Sequence, residues 1–454
     1  MFDVLIHGGQ VIDPTDGVFR ADVAIKDGTI VAVSSPGVIT EADQLIDAGG
    51  RYVLAGCIDP HTHMGFARTF ADDVRTESMS AAIGGITTFM SFHRHYQNAE
   101  PKPYDDFPQL VETIERESCI DMGLHFGILT QAQVGELEKY IDWGVSSFKF
   151  YMAYRGADGK TVGMINECDD GLLLEGFETL ARHSHAMACV HCENTEIIAR
   201  RAQKVKAEQR DGLAAWNAAR PSFAEAEHVR RAGYFAELAG CNLYYVHIGA
   251  KPSLEEALLH KLRYGHLTIE TCPHYLTETE DSDVGALVKV NPPVRQQADQ
   301  DRIWHGLISG EIETVGTDHC ATSLDQKKGT IWEASAGFPG MATMLSVMIS
   351  EGVHKRGMSL QRLAQVTSYN SARAFNLLPR KGIVKTGADA DLVIIDLNLE
   401  KAVDSRELGS VTGYSLYDGK SMKGWPVMTL LRGKVIVRDG NFVGEAGDGK
   451  FLRH

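Results

Sequence analysis

Two histidines at the end of an apolar segment are the first residues of this chain that could do metal chemistry. His61 and His63 follow the run 52–58, which predicts a buried β-strand. Residues two apart in an extended chain point to the same side, so the two imidazoles converge on one point. Such a pair supplies half of a transition-metal site. By itself it is a weak signal, because strand histidines are more often hydrogen-bonded structural residues.

Further side chains of this kind stand at the ends of later strand-like runs. Lys149 lies in the run 146–152, and the others are His191, His247 and Asp318. Each has a structural explanation: a lysine can extend its amine to solvent, and an aspartate can cap a helix. Their joint occurrence at strand ends is much less expected by chance. We therefore predict that these residues lie at one edge of a parallel sheet.

The segments that must position this cluster alternate between strand-like and helix-like from about residue 52 to residue 375. Helix-length segments such as 107–118, 223–240 and 253–264 lie between most of the strands. Eight β-then-α units predict a (β/α)8 barrel, whose active sites form at the carboxyl ends of the strands. The predicted strands are 52–58, 85–92, 121–129, 146–152, 187–192, 242–248, 267–272 and 312–317.

Both ends of the chain are rich in short strands. Asp27-Gly28 and Asp439-Gly440 each supply a hairpin turn between apolar runs. Neither end alone buries much apolar surface, which favours one small β-sandwich built from both termini over two separate β caps. The predicted organisation is sandwich over 1–51, barrel over 52–375, and sandwich with a tail over 376–454.

Composition limits the partners and the compartment. The 454 residues are 44% hydrophobic and 23% charged, with a net charge of −15, which argues against nucleic acid or an anionic membrane as partner. No apolar run is long enough to span a bilayer, and no export signal is visible. Eight scattered cysteines fit reduced thiols. We expect a cytoplasmic protein that acts on a small molecule.

Lys149 needs a physical reason to stand in an apolar strand, because burial of an ammonium ion is costly. Desolvation lowers the pKa of a lysine and favours the neutral amine. A neutral amine can add carbon dioxide and become a carbamate. The carbamate is an anion with two oxygens, which suits it to bridge two cations.

The chain resembles the cyclic amidohydrolases of the amidohydrolase superfamily, namely hydantoinase/dihydropyrimidinase, allantoinase and dihydroorotase. The resemblance spans nearly the whole chain. It implies two divalent metal ions, for which we favour zinc although manganese, cobalt and iron also fit. The motifs that carry it are 59–63, 148–149, 191–194, 246–247, 270–276, 289–295 and 316–319.

The same resemblance implies a role for each site residue. One metal ion would be held by His61, His63 and Asp318, and the other by His191 and His247. Lys149 would lie between the two ions as N6-carboxylysine.

The hydantoinase branch is favoured by Tyr154, which matches a tyrosine that donates to the substrate carbonyl in D-hydantoinases and dihydropyrimidinases. Asn291 and Gly337 match substrate-binding positions, and Asp318 would also act as base and then acid. The implied reaction opens the ring amide of 5-substituted hydantoins or dihydropyrimidines to N-carbamoyl amino acids.

Several alternatives stay open on the sequence. The motifs at 272–275 and 289–293 resemble allantoinase and dihydroorotase as much as hydantoinase, and the loop 64–70 departs from the hydantoinase pattern. An allantoinase or other ureide hydrolase is therefore the first alternative, and an inactive scaffold homologue is a remoter one. The segment 92–95 is interpreted as a solvated loop, or else as a polar contact for an acidic substrate substituent. The family is commonly tetrameric, which predicts a homotetramer or a homodimer.

Overall fold

The computed structural model describes residues 1–95, 101–156, 159 and 163–454. Among these residues, no helix combines the length and the apolar character that crossing a lipid bilayer requires. The strands are β1 (Phe2–His7), β2 (Gln10–Asp13), β3 (Gly17–Arg20), β4 (Asp22–Lys26), β5 (Thr29–Ser34), β6 (Ala42–Asp47), β7 (Tyr52–Ala55), β8 (Cys57–His63), β9 (Ile86–His93), β10 (Asp121–Ile128), β11 (Ser147–Tyr151), β12 (Met187–His191), β13 (Leu243–Tyr245), β14 (Leu267–Thr271), β15 (Thr314–Val315), β16 (His319–Cys320), β17 (Leu392–Ala402), β18 (Ser421–Leu431), β19 (Lys434–Arg438) and β20 (Asn441–Phe442).

The helices are concentrated in the middle of the chain. Two of them continue as π-helical turns, Met348–His354 and Gln365–Tyr369. The α-helices are α1 (Phe70–Ile83), α2 (Phe107–Glu117), α3 (Gln131–Val134), α4 (Leu137–Asp142), α5 (Asp170–Leu180), α6 (Thr195–Ala207), α7 (Leu213–Ala219), α8 (Ser222–Ala239), α9 (Lys251–Arg263), α10 (Pro273–Thr277), α11 (Gln297–Ser309), α12 (Met344–Val347), α13 (Leu360–Ala364) and α14 (Asn370–Ala374).

A parallel sheet curls into the barrel. Its strand order is β15-β14-β13-β12-β11-β10-β9-β8-β16. The pieces β15 and β16 belong to one stretch of chain and together form the eighth strand, which is interrupted around Asp318. Since β16 pairs with β8, the sheet closes on itself. The predicted (β/α)8 architecture is confirmed, and the eighth strand reaches beyond its predicted end at residue 317.

Two further sheets form the β-sandwich. One has the order β5-β4-β1-β6 and the other the order β20-β19-β18-β17-β7-β2-β3. In the larger sheet, β17 from the carboxyl-terminal part pairs with β7 from the amino-terminal part. Buried residues of both parts, such as Val23, Ile25, Leu392 and Ile394, share one apolar core. A single sandwich built from both termini is therefore confirmed, and separate β caps are wrong.

The first predicted barrel strand, 52–58, is two strands in the structure. Its first half, β7, pairs with β17 and β2 of the sandwich, whereas β8 pairs with β9 of the barrel. The chain crosses between the two sheets at Gly56, where a Cβ atom would lie 2.1 Å from Thr87 Oγ1. The prediction of one continuous strand was wrong because the apolar run serves two cores in succession.

Candidate metal centre and active site

The carboxyl ends of the barrel strands bring all the predicted site residues to one cleft. His61 lies in its wall, with Nε2 3.2 Å from Asp318 Oδ1. Parallel strands end at the same edge of a barrel, so residues far apart in the chain meet there. The other predicted residues line the cleft directly: His63, Lys149, Tyr154, His191, His247, Asn291, Asp318 and Gly337.

His61 and His63 both lie close to one carboxylate oxygen of Asp318. Asp318 Oδ1 lies 3.2 Å from Nε2 of His61 and 3.1 Å from Nε2 of His63. The ligand atoms of these residues all lie within 4.8 Å of one another. Two imidazoles and a carboxylate are a donor set that suits zinc and related divalent ions.

Glu270 explains why His61 points its Nε2 atom at the cleft. Its Oε1 lies 2.6 Å from Nδ1 of His61, and both residues are buried. An ionised carboxylate only accepts hydrogen bonds, so the proton of neutral His61 sits on Nδ1 and Nε2 keeps a bare lone pair. That lone pair faces the anionic Asp318. A cation between them would relieve the repulsion, and the arrangement therefore fits a metal ion.

His191 and His247 form the second half of the cluster. Nδ1 of His191 lies 2.9 Å from Nε2 of His247, while Nε2 of His191 lies 2.8 Å from Glu193 Oε2. Glu193 in turn accepts hydrogen bonds from buried Arg220, whose Nε and Nη2 donate at 3.0 and 2.6 Å. Burial acts to raise the pKa of Glu193, but Arg220 and His191 lower it to about 2. The carboxylate is thus a fixed acceptor that orients His191.

Burial keeps most of these imidazoles neutral. It lowers the pKa of His63 to about 4, and it lowers the pKa of His191 and His247 below the ordinary histidine value. Neutral imidazole is the form that binds metal ions. His61 differs because carboxylates face both of its nitrogens: burial lowers its pKa, but Glu270 and Asp318 outweigh that effect and raise it.

Lys149 lines the same cleft as His63, His191 and His247. The residue is 1% exposed, and its Nζ lies 4.1 Å from the centroid of the Phe92 ring. Burial lowers the pKa of Lys149 to about 8. The neutral amine, which is the form that can react with carbon dioxide, is therefore far more populated near physiological pH than in an exposed lysine.

Comparison with known proteins gives this arrangement a family. A model described as the amidohydrolase family matches residues 267–436. The chain is 34% identical to a D-hydantoinase of Ralstonia pickettii over 99% of the chain and 98% of the relative. It is 33% identical to an allantoinase of Deinococcus radiodurans, over 99% of the chain and 98% of that relative. The chain is a cyclic amidohydrolase of the hydantoinase/dihydropyrimidinase family.

A solved structure agrees with that assignment. The L-hydantoinase (dihydropyrimidinase) from Arthrobacter aurescens superposes with a TM-score of 0.92 at 32% sequence identity, with all of both chains covered. Relatives named for D-hydantoinase, L-hydantoinase and allantoinase activity thus resemble this cyclic amidohydrolase to nearly the same degree. Family membership establishes hydrolysis of cyclic amides, and the substrate must be argued from the cleft.

Three site residues of this amidohydrolase hold a left-handed backbone that is uncommon for residues other than glycine. The φ angles are 60° at Tyr154, 44° at His247 and 53° at Asp318. Each residue follows a barrel strand and turns its side chain into the cleft. Such strain, typically ~1–3 kcal/mol per residue, persists where the surroundings fix it and is concentrated at functional sites.

The side of the cleft assigned to the substrate carries polar groups, and part of their hydrogen-bonding capacity is unused. The Tyr154 ring packs 4.8 Å from that of His191. Asn291 is buried, and within the described part of the chain its Oδ1 has no hydrogen-bond partner. At Gly337 the N–H donates to Lys289 O at 2.9 Å and the carbonyl accepts from Thr322 Oγ1 at 2.8 Å, so the carbonyl has one further lone pair with which to accept from a ligand.

Several supporting residues were not predicted. Glu270 contacts His61 across 209 residues of chain, and Arg220 holds Glu193, the partner of His191, across 27 residues. An acidic residue in the apolar run 267–272 was the available signal for Glu270. Asp59, in contrast, belongs to the predicted motif 59–63 and was expected to support the site without binding metal: its Oδ1 accepts from the backbone N–H of His61 at 3.1 Å and of Thr317 at 3.0 Å.

The segment after the second barrel strand also differs from the favoured prediction. His93 and Arg94 are buried rather than solvated, and Arg94 lines the cleft. The solvated-loop interpretation is therefore wrong for these two residues. Arg94 fits there because Gly127 on the neighbouring strand has no side chain, a tertiary contact that local composition does not reveal.

Proposed function

We propose that this cyclic amidohydrolase opens the ring amide of 5-substituted hydantoins and dihydropyrimidines to give N-carbamoyl amino acids. The observation that carries the proposal is the position of Tyr154, a phenol at the cleft whose ring packs on His191 beside the histidine cluster. Relatives named D-hydantoinase and L-hydantoinase (dihydropyrimidinase) support it.

The donor set suits two divalent metal ions, and we favour zinc. His61, His63 and Asp318 would hold one ion, His191 and His247 the other, and Lys149 would bind both as N6-carboxylysine. When bound, such ions polarise the ring carbonyl and lower the pKa of water towards neutrality. The buried Lys149 amine, whose pKa is lowered to about 8, supports the carboxylation.

The protein side chains would then position the ring and move the proton. Asp318 removes a proton from the attacking water and delivers it to the leaving ring nitrogen. Tyr154 donates to the carbonyl oxygen as negative charge develops there. Asn291 Oδ1, which lacks a partner, accepts from a ring N–H, and the Gly337 carbonyl accepts from the other.

A substrate panel tests this proposal against the alternative of allantoinase activity, which the similarity to an allantoinase supports. The metal-loaded enzyme is assayed with dihydrouracil, 5-substituted hydantoins, allantoin and dihydroorotate. We expect kcat/KM to be highest for hydantoins or dihydrouracil. A higher value for allantoin would establish the alternative, and absence of both turnover and bound metal would revive the inactive scaffold.

We further propose a cytoplasmic homotetramer, with a homodimer as the alternative assembly. The net charge of −15 supports a soluble enzyme that binds a small molecule rather than nucleic acid. Light scattering on the purified enzyme measures the mass of the assembly. A mass of one 49.8 kDa chain would contradict both assemblies.

A further inference from the structure

Two polar side chains that the proposed reaction leaves unused line one wall of the cleft. Arg94 follows β9, and Tyr151 is the last residue of β11. Both line the cleft together with Lys149 and Asp318. Arg94 is 4% exposed and Tyr151 is 3% exposed, so each is held by its surroundings rather than extended into solvent.

A glycine on the intervening strand allows these two side chains to approach each other. Gly127 lies on β10, which pairs with β9 on one side and β11 on the other. A Cβ atom at Gly127 would lie 3.2 Å from Arg94 Cβ and 3.4 Å from Tyr151 Cε2. The two side chains therefore occupy the space that a larger residue on β10 would fill.

The hydroxyl of Tyr151 is buried and has no hydrogen-bond partner among the residues that the structure describes. A buried donor without a partner destabilises the folded protein, and phenylalanine would fill the same space without that cost. The Tyr151 side chain lines the cleft that would receive a ligand. A ligand atom is therefore the natural partner of this phenol.

Arg94 adds a positive charge to the same wall. Its Nη1 donates to the backbone carbonyls of His95 at 3.4 Å and Gly163 at 3.3 Å. A guanidinium and a phenol O–H on the same wall of the cleft can both donate to the oxygens of a carboxylate, and such charge-assisted bonds are the strong ones.

We propose that Arg94 and Tyr151 form a subsite for an anionic ring substituent, so that the preferred substrates are cyclic ureides or imides whose side chain ends in a carboxylate. The ring chemistry rests on the proposed function. The subsite adjoins the part of the cleft assigned to the ring itself, since the ring centroids of Tyr151 and Tyr154 lie 6.2 Å apart.

A matched pair of ligands tests the subsite: 5-(2-carboxyethyl)hydantoin and its primary carboxamide, which has the same shape without the charge. We expect the wild-type enzyme to prefer the acid roughly 10- to 100-fold in kcat/KM, the range given by a hydrogen bond to a charged group. Arg94→Gln should lower this ratio at least about tenfold, and Tyr151→Phe should lower it less. The control Arg182→Gln removes the same charge from a side chain that is 65% exposed, and should leave the ratio unchanged.

Calorimetric binding of the same two ligands separates this inference from the proposed reaction. Preferential binding of the acid without turnover of either ligand would keep the subsite and overturn the proposed function. Turnover of both ligands with equal kcat/KM and equal affinity in the wild-type enzyme would overturn the subsite. If Tyr151→Phe lowers turnover of acid and amide equally, Tyr151 does not bind the substituent and that part of the proposal fails.

Discussion

Two buried clusters of this amidohydrolase contain similar ligand groups but treat charge in opposite ways. At the rim, His61, His63 and Asp318 bring their ligand atoms within 4.8 Å of one another. At the junction of barrel and sandwich, the carboxylates of Asp121, Asp389 and Asp391 do the same. Residue type and proximity alone would make both clusters candidate metal sites.

The junction cluster is neutralised by the protein itself. Lys381 Nζ donates to Asp121 at 2.7 Å, to Asp389 at 3.0 Å and also to Asp391. Arg432 Nη1 lies 2.6 Å from both oxygens of Asp121. These five residues join the start of β10 to the sandwich, so their role is structural.

The rim cluster has no such internal pairing among the residues that the structure describes at the cleft. Its lysine, Lys149, is buried with its pKa lowered to about 8, and Nε2 of His61 lacks a hydrogen-bond partner. The number of acidic groups therefore does not distinguish a structural cluster from a candidate metal centre. What distinguishes them is whether a lysine or arginine of the protein pairs with the carboxylates.

The largest expected effect of a single substitution is at the rim. Asp318→Asn removes the proton acceptor, so we expect kcat to fall by roughly 10²- to 10⁴-fold. Thermal unfolding, measured in parallel, should change little because the junction cluster is intact. Steady-state kinetics on the metal-analysed variant is the measurement, and a kcat within about twofold of wild type would remove Asp318 from the mechanism.

The opposite pattern is expected at the junction. Lys381→Met leaves buried carboxylates without their cation and should lower the free energy of unfolding by about 3–5 kcal/mol. The folded fraction should keep wild-type kcat and metal content. Denaturant unfolding measures the loss, and Lys328→Met, at a side chain that is 76% exposed, is the matched control with a change within ~0.5 kcal/mol. Equal stability of the two variants would refute the structural role.

Tyr154→Phe tests the substrate side of the rim without removing a proposed metal ligand. Loss of the phenol donor should reduce kcat roughly 10²- to 10³-fold, as for a lost oxyanion donor. Metal content and unfolding should match wild type because the ring still packs on His191. An unchanged kcat with a raised KM would instead assign Tyr154 to ground-state binding.

The smallest effect concerns the pH dependence of the junction. Burial acts to lower the pKa of Lys381, but Asp391, Asp121 and Asp389 raise it above the ordinary 10.5. A raised folded-state pKa gives stability that is complete below about pH 10.5 and is lost as pH rises further. The difference in unfolding free energy between wild type and Lys381→Met should therefore narrow above that pH. A constant difference would contradict the pairing.

Features that depend on the spacing of neighbouring residues along the chain could be predicted from the sequence. The two-residue spacing placed His61 and His63 on one side of a strand, and the alternation of segments indicated the barrel. The crossing at Gly56 could not be predicted, because one apolar run, 52–58, enters two cores in succession. Its position depends on Thr87, which packs against it from β9.

Contacts between distant segments set the remainder of the site. Glu270 orients His61 across 209 residues, and no pattern near either residue indicates that pairing. Arg94 was expected in solvent, yet it lies in the cleft because Gly127 on the neighbouring strand leaves room for it. Side chains that act through tertiary contacts therefore required the structure.

The most direct test of the central claim is elemental analysis of the purified enzyme beside Lys149→Ala. We expect two divalent metal ions per wild-type chain, with hydantoin or dihydrouracil hydrolysis, and loss of both the ions and turnover in the variant. Circular dichroism on the variant checks that it is folded. A folded Lys149→Ala variant that kept two metal ions and full turnover would contradict the bridging role of Lys149.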